Sequence, residues 1–339
     1  MRYFLRHGLL RFGRWIILSF ALAGFLLPAF ADASAKELLA MGRADEAIQT
    51  LEQQIRHSTT GYSVADAESY NLLCRSYYMI DEWDRGISAC ERARSLDPQN
   101  SLYYLWLGRV YGEKADRVGF MSAAGLAKKV RTSFERAVQL DPRSWEARSD
   151  LAEFYIQAPG MVGGGKEKAR EQADALMPIN PGIAHWVLAR IASKEKDAAA
   201  AEREYRAAIT MSHSGTRAWF ELAYFLFHAN RLDEMEQALH SLESSPVDGP
   251  ESLMDAASLL VRTSRDYPLA ARLLRRYLSA PVEEGPAFKA HDLLGHVLEK
   301  QGDRSAAAGE FRAALALSHT YTRAAEDLKR VEDLKRVER

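Results

Sequence analysis

No stretch of this 339-residue chain is rich in proline or dominated by one residue type, no block or stripe of basic residues runs along it, and only two cysteines occur. With 47% hydrophobic and 27% charged residues, the absence of biased tracts excludes disorder as the default and leaves most of the chain able to join a packed core. Lacking a basic footprint, the chain has no electrostatic basis for a nucleic-acid partner. Its nine histidines are scattered, with no H-E-x-x-H and no pair four apart. His291 and His296, five apart, fall on different helix faces, so no metal site is expected. Ser193 and Lys196 spell S-x-x-K, but the K-T-G element that accompanies it in penicillin-recognising enzymes is missing. No catalytic constellation emerges, and neither an enzyme nor a cofactor is predicted.

Long apolar runs are also missing. Ile16 to Phe30 is the longest candidate, broken by Pro28, and its length of about 15 residues falls short of the ~20 needed to span a bilayer. Before it stand Arg2, Arg6, Arg11 and Arg14, and after it Ala29-Phe30-Ala31 provides a small-x-small cleavage site. Residues 1–31 therefore read as an export signal cleaved near Ala31, with Ala33 and Ala35 as alternative sites and retention as an anchor the other outcome. No cysteine lies near the cleavage region to accept a lipid. The formal charge of −1 reflects 45 basic against 46 acidic residues; without the four leader arginines, 41 stand against 46, and the mature chain carries −5.

What is present in abundance is a period. Tyr104-x-x-Leu107-Gly108-x-x-Tyr111 repeats a weaker pattern 34 residues earlier, where Tyr70, Leu73, Cys74 and Tyr77 hold the same places. Residues 67–100 continue with Ala93 and Pro98, and residues 101–142 with Phe134, Ala137 and Pro142. Looser copies keep phase through residues 145–181, 182–215, 216–249, 251–284 and 288–321, while Ala47 and Leu51 mark the second helix of a copy whose first helix must be short. These residues resemble the tetratricopeptide repeat, in which a small residue at place 8 and Ala at place 20 let two helices approach closely and bulky residues at places 4, 7, 11 and 24 fill the space around them. The resemblance implies an all-α fold: a right-handed α-solenoid of about eight helix hairpins over residues 36–321, followed by a charged capping helix over 322–339. It also implies a scaffold that binds a protein or peptide, since repeat arrays present surfaces and seldom carry active sites.

Two repeats break the period, with extra residues near 114–130 and 159–168. Both insertions fall between the first and second helices of adjacent repeats, so they should emerge as neighbours on one rim. The second resembles an "APG..GGG" turn found in a subgroup of exported bacterial tetratricopeptide proteins. Gly160 to Lys166, including Gly163, Gly164 and Gly165, also match the first seven places of the phosphate loop G-x-x-x-x-G-K-[ST]. Glu167 occupies the hydroxyl place, and a helix is predicted where that motif requires a strand. A flexible turn opening a helix is the expected reading, with a nucleotide-dependent enzyme or switch as the alternative and a membrane-tethered envelope assembly factor as a second.

Cys74 and Cys90 occupy places 8 and 24 of one repeat, which sets them at one level on facing helices. A disulfide in an oxidising compartment and a pair of buried thiols both fit. In the tetratricopeptide family the first helices line the concave groove through places 2, 5, 9, 12 and 13. Those places hold Arg75, Tyr78, Leu105 and Arg109 in the two strongest repeats, and Trp186, Arg190, Phe220, Tyr224, Phe227 and His228 in the two repeats that follow the second insertion. The resemblance makes them the candidate partner-binding residues. Aromatics beside arginines suit an extended peptide or a partner helix, whereas aromatics at helical spacing also serve as core. The expectation is a periplasmic or secreted scaffold of unassigned oligomeric state.

Overall fold

The computed structural model describes residues 33–58, 63–279, 281–282 and 285–337. The predicted export signal lies outside them. From Ser34 onward the chain forms one compact unit, all-helical and without strands among the described residues. Eight helix pairs follow one another: α1 (Ala35–Ala40) with α2 (Ala44–His57), α3 (Val64–Met79) with α4 (Trp83–Leu96), α5 (Ser101–Ala115) with α6 (Phe120–Leu140), α7 (Trp145–Gln157) with α8 (Lys166–Leu176), α9 (Pro181–Lys194) with α10 (Ala198–Met211), α11 (Thr216–His228) with α12 (Leu232–Glu243), α13 (Glu251–Thr263) with α14 (Tyr267–Leu278), and α15 (Ala287–Lys300) with α16 (Arg304–Leu317). A last helix, α17 (Thr322–Val337), closes the array. No helix among the described residues is long and apolar enough to cross a membrane.

The hairpin turns share one backbone solution. Six of the eight share a left-handed residue one or two places past the first helix, Gly42, Asp81, Lys196, Asn230, Ser264 and Gly302, followed by the same back-bond. In each, the next amide donates back to the carbonyl five residues earlier, as Arg43 does to Leu38, Glu82 to Tyr77, Asp197 to Ala192, Arg231 to Leu226, Arg265 to Leu260 and Asp303 to Leu298, all at 2.9–3.0 Å. That bond satisfies carbonyls left over at the end of the first helix and turns the chain tightly into the second. The two exceptions are the repeats with insertions. Helix starts are fixed by Asn100, Ser144, Asn180, Asp197 and Asp303, whose side chains accept backbone amides of the first turn.

Close approach within the hairpins explains the small residues at place 8. A Cβ on Gly108 would lie 2.4 Å from the Phe134 ring, and one on Gly295 would lie 2.5 Å from Phe311. In the second hairpin the same two places hold Cys74 and Cys90, whose Cα atoms are 5.2 Å apart and whose sulfurs are bonded.

Successive first helices also pack on one another: α1 on α3, α3 on α5, α7 on α9, α9 on α11, α11 on α13 and α13 on α15. Elements that meet their own kind along an array lie on the inside of its curve, so the first helices form the inner face. One neighbouring pair, α5 and α7, lacks comparable packing. The curve also brings the end of the array back to its start. Val282 N–H donates to Ala40 O at 2.8 Å, His319 N–H to Asp45 Oδ2 at 2.9 Å, and Lys289 Nζ to Asp81 Oδ2 at 2.7 Å. Gly42 permits this contact, because a Cβ there would lie 2.6 Å from Ala287 Cβ.

Candidate functional site

The first insertion is mostly helix. Instead of forming a loop, residues after Gly119 lengthen α6 to 21 residues, against 14 for α4 and α10. No proline interrupts this segment, and alanines at 123, 124 and 127 favour helix. The second insertion forms a 3-10 turn at Gly160–Val162. The two meet: Arg131 Nη1 donates to Val162 O at 3.3 Å, and Val130 and Val162 are both buried. Between α5, the start of α6, α7 and this turn opens a cavity of about 630 Å³, at the place where α5 and α7 fail to pack.

The glycine-rich turn is built for itself. Gly163 N–H donates to Gly160 O, Gly164 N–H to Pro159 O and Gly165 N–H to Tyr155 O, at 2.9, 3.2 and 2.9 Å. These are amides a phosphate loop would aim at its ligand. Gly163 is left-handed at φ +100°, and a Cβ on Gly164 would strike Ala158 O at 1.8 Å, so the turn requires glycine at these two positions. Lys166 Nζ pairs with Glu195 Oε1 at 2.6 Å, which raises the lysine pKa, and helix α7 precedes the turn. The arrangement gives the nucleotide alternative no support.

Two arginines of the inner face are ion-paired. Arg109 Nε donates to Asp150 Oδ2 at 2.7 Å and Arg190 Nε to Glu153 Oε2 at 3.1 Å, each pair tying neighbouring first helices together. They serve as inter-repeat links. Arg75 lies over Trp106 at 5.2 Å, with Arg109 at 4.8 Å from the same ring, and Tyr78 meets Trp106 edge-on at 5.5 Å. Burial, helped by the charge of Arg109, lowers the Arg75 pKa to about 10. Leu105, at 5% exposure, is buried. Trp106 and Asp150 escape a reading by groove place because both sit at place 6 of their repeats.

The aromatics of α11 behave differently. Phe220, Tyr224, Phe227 and His228 recur at steps of four, three and one, and form a ladder of ring contacts at 5.9 Å, 6.4 Å and, for Phe227 with His228, 5.1 Å. The three larger rings are half-buried and His228 is exposed. Phe220 and Phe227 also lean on the core, as does Trp186, which makes no ring contact with the ladder. Trp186 instead borders a cavity of about 280 Å³ with Glu221 and Arg217. Burial raises the Glu221 pKa, opposed by Trp186 and Arg190.

Two carboxylate–histidine groups come together that the sequence spacing did not disclose: Glu236, His240 and Asp266, and Asp292, His296 and Asp327. An arginine already occupies each. Arg265 Nε lies 3.1 Å from Glu236, and Arg323 Nε lies 3.3 Å from Asp292, so these are ion-pair networks with their positive charge supplied by the protein. His291 contacts Glu310 instead, apart from His296.

An array of paired helices curved so that the first helix of each pair lines an inner face defines a helical-repeat protein. Residues 183–244, covering α9 to α12, match the family model of the tetratricopeptide repeat. That segment carries the tetratricopeptide pattern, and the helix pairs on either side of it share its form. Among solved structures the chain is similar to a thermophilic TPR protein of Thermus thermophilus, with 15% identity over 57% of this chain and 95% of that one and a TM-score of 0.47. It is also similar to a tetratricopeptide repeat protein from Parabacteroides merdae, with 14% identity over 88% and 96% of the two chains and a TM-score of 0.44. Compared with curated proteins, the sequence has no match.

Proposed function

We propose that this chain is an exported, non-catalytic scaffold that holds a peptide segment or protein partner on its inner face. The supporting observation is the half-buried aromatic ladder of α11, a set of rigid side chains left partly open on the face where first helices meet. Such rings supply large contact area at little entropic cost and dominate many interfaces. Export rests on the basic and apolar leader with its cleavage motif near Ala31, and the Cys74–Cys90 bond fits an oxidising compartment such as a periplasm. Scaffolding needs no catalytic residue or cofactor, and none is assigned.

Joint replacement of Trp186, Phe220 and Tyr224 by alanine tests the reading: capture of a native partner from envelope extract should fall while the helical circular-dichroism spectrum persists. Unchanged capture contradicts it. The mass of the mature N-terminus separates a released protein, starting just after Ala31, from one tethered by its leader.

A further inference from the structure

The cavity between α5 and α7 exists because the sequence keeps it open. Gly112 stands in the interior of α5 and borders the space, yet a Cβ there would meet nothing within 4 Å. No close approach demands this glycine, unlike Gly108 one turn earlier, and a glycine inside a helix is unfavourable relative to alanine. Across the space, the extended start of α6 presents Ala123, Ala124 and Ala127, and Val130, Phe154 and Val162 complete apolar walls. The cavity has an acidic border. Glu113, Asp116, Asp150 and Glu153 border it against a single cation, Arg109. Asp150 is matched by Arg109 and Glu153 by Arg190 from outside the lining. Glu113 and Asp116 make no ion pair among the described residues; Glu113 accepts from Tyr78 Oη at 3.4 Å. Burial and the charges of Asp116 and Asp81 raise the Glu113 pKa, with Arg117 opposing, as fits a carboxylate lacking a counter-ion.

We propose that this cavity, created jointly by the two insertions, is an anchor site for a peptide segment that buries a bulky apolar side chain between α5 and α7 and places an adjacent Lys or Arg against Glu113 and Asp116. The proposal rests on the peptide-binding reading above and specifies where and what it recognises. The apolar anchor follows from the alanine, valine and phenylalanine walls, and the basic neighbour from charge complementarity with Glu113 and Asp116. Tyr78, Arg109 and Glu113 occupy the inner-face places 12, 9 and 13 of their repeats, so a chain lying along the inner face can deliver a side chain into the cavity without leaving it.

Fluorescence anisotropy of the full mature protein tests this with a short labelled peptide carrying one Phe between Lys residues in a Gly-Ser frame. Two control peptides replace Phe by Ser or the Lys residues by Glu. The wild-type protein should bind the Phe/Lys peptide and neither control. Gly112→Leu, which fills the cavity from a position that meets no neighbour, should weaken binding about ten- to a hundredfold, the loss expected when one large apolar side chain is not buried. Glu113→Gln with Asp116→Asn should weaken it less and flatten its salt dependence. Equal binding by Gly112→Leu, equal binding of the Glu control, or no binding of the Phe/Lys peptide overturns the proposal. If partner capture is lost on replacing Trp186, Phe220 and Tyr224 but survives Gly112→Leu, the scaffold reading stands and the cavity anchor fails. If capture survives both, both fail.

Discussion

Two glycines one turn apart on α5 should respond to alanine with opposite sign. At Gly108 the added methyl group would sit 2.4 Å from Cε1 and 2.5 Å from Cδ1 of Phe134, a ring that is itself only 6% exposed. Ring and helix must move apart, and overpacking of this kind costs about 1–3 kcal/mol. The better helix propensity of alanine returns about 0.5–1 kcal/mol, leaving a net loss of up to about 2.5 kcal/mol. At Gly112 the same methyl group meets nothing within 4 Å, so only the propensity term acts and Gly112→Ala should gain about 0.5–1 kcal/mol. Both positions lie in one helix of one hairpin, so they report on the same cooperative unit and differ chiefly in what the methyl group touches. Urea unfolding followed by far-ultraviolet circular dichroism measures both. Shifts of the same sign, or a destabilised Gly112→Ala, would refute the packing argument and the claim that Gly112 is there to leave space.

Asp255 on α13 has its pKa raised to about 6 by burial, with Glu251 and Glu221 adding to the effect. Because the folded pKa lies above the unfolded one, native Asp255 favours its proton, and its penalty is absent below about pH 4 and fully present above about pH 6. Asp255→Asn should therefore gain up to about 2–3 kcal/mol at neutral pH and nothing near pH 4; a pH-independent gain contradicts this. Cys74 and Cys90 are 16 residues apart, and closing such a loop is worth about 3 kcal/mol in the unfolded chain. A reductant should lower the urea midpoint of the wild type and leave Cys74→Ala with Cys90→Ala unmoved; equal effects on both would exclude the bond. Gly42→Val places a branched side chain at φ +71° and against Ala287, so it should part the two ends of the array. Faster hydrogen exchange at the Val282 amide and a longer maximum dimension in X-ray scattering are the expected signs, and their absence counts against closure.

The repeat was legible because its spacing records a physical constraint. A small residue at place 8 faces a large one at place 24 in two hairpins, where Gly108 faces Phe134 and Gly295 faces Phe311. The turns were less legible, since Asp81, Lys196, Asn230 and Ser264 adopt a backbone that glycine adopts more readily. Inner-face places could be counted off, but not which side chains were already committed. Arg109 and Arg190 find carboxylates 41 and 37 residues away, distances that the insertions move off the period. Leu105 shows that a groove place can still be buried. The cavity was hidden because the spacing places extra residues on a rim without giving their conformation, and Ala123, Ala124 and Ala127 continue a helix there. Contact between the ends of the array depends on small rotations summed over eight hairpins, which no local pattern encodes.

Whether the inner face is the binding surface can be measured directly by hydrogen–deuterium exchange on the protein alone and in complex with its captured partner. Protection confined to the first helices, strongest on α9 and α11 and at α5 and α7 beside the cavity, is the predicted result. Protection confined to the second helices or to α17, with the first helices unchanged, would contradict it.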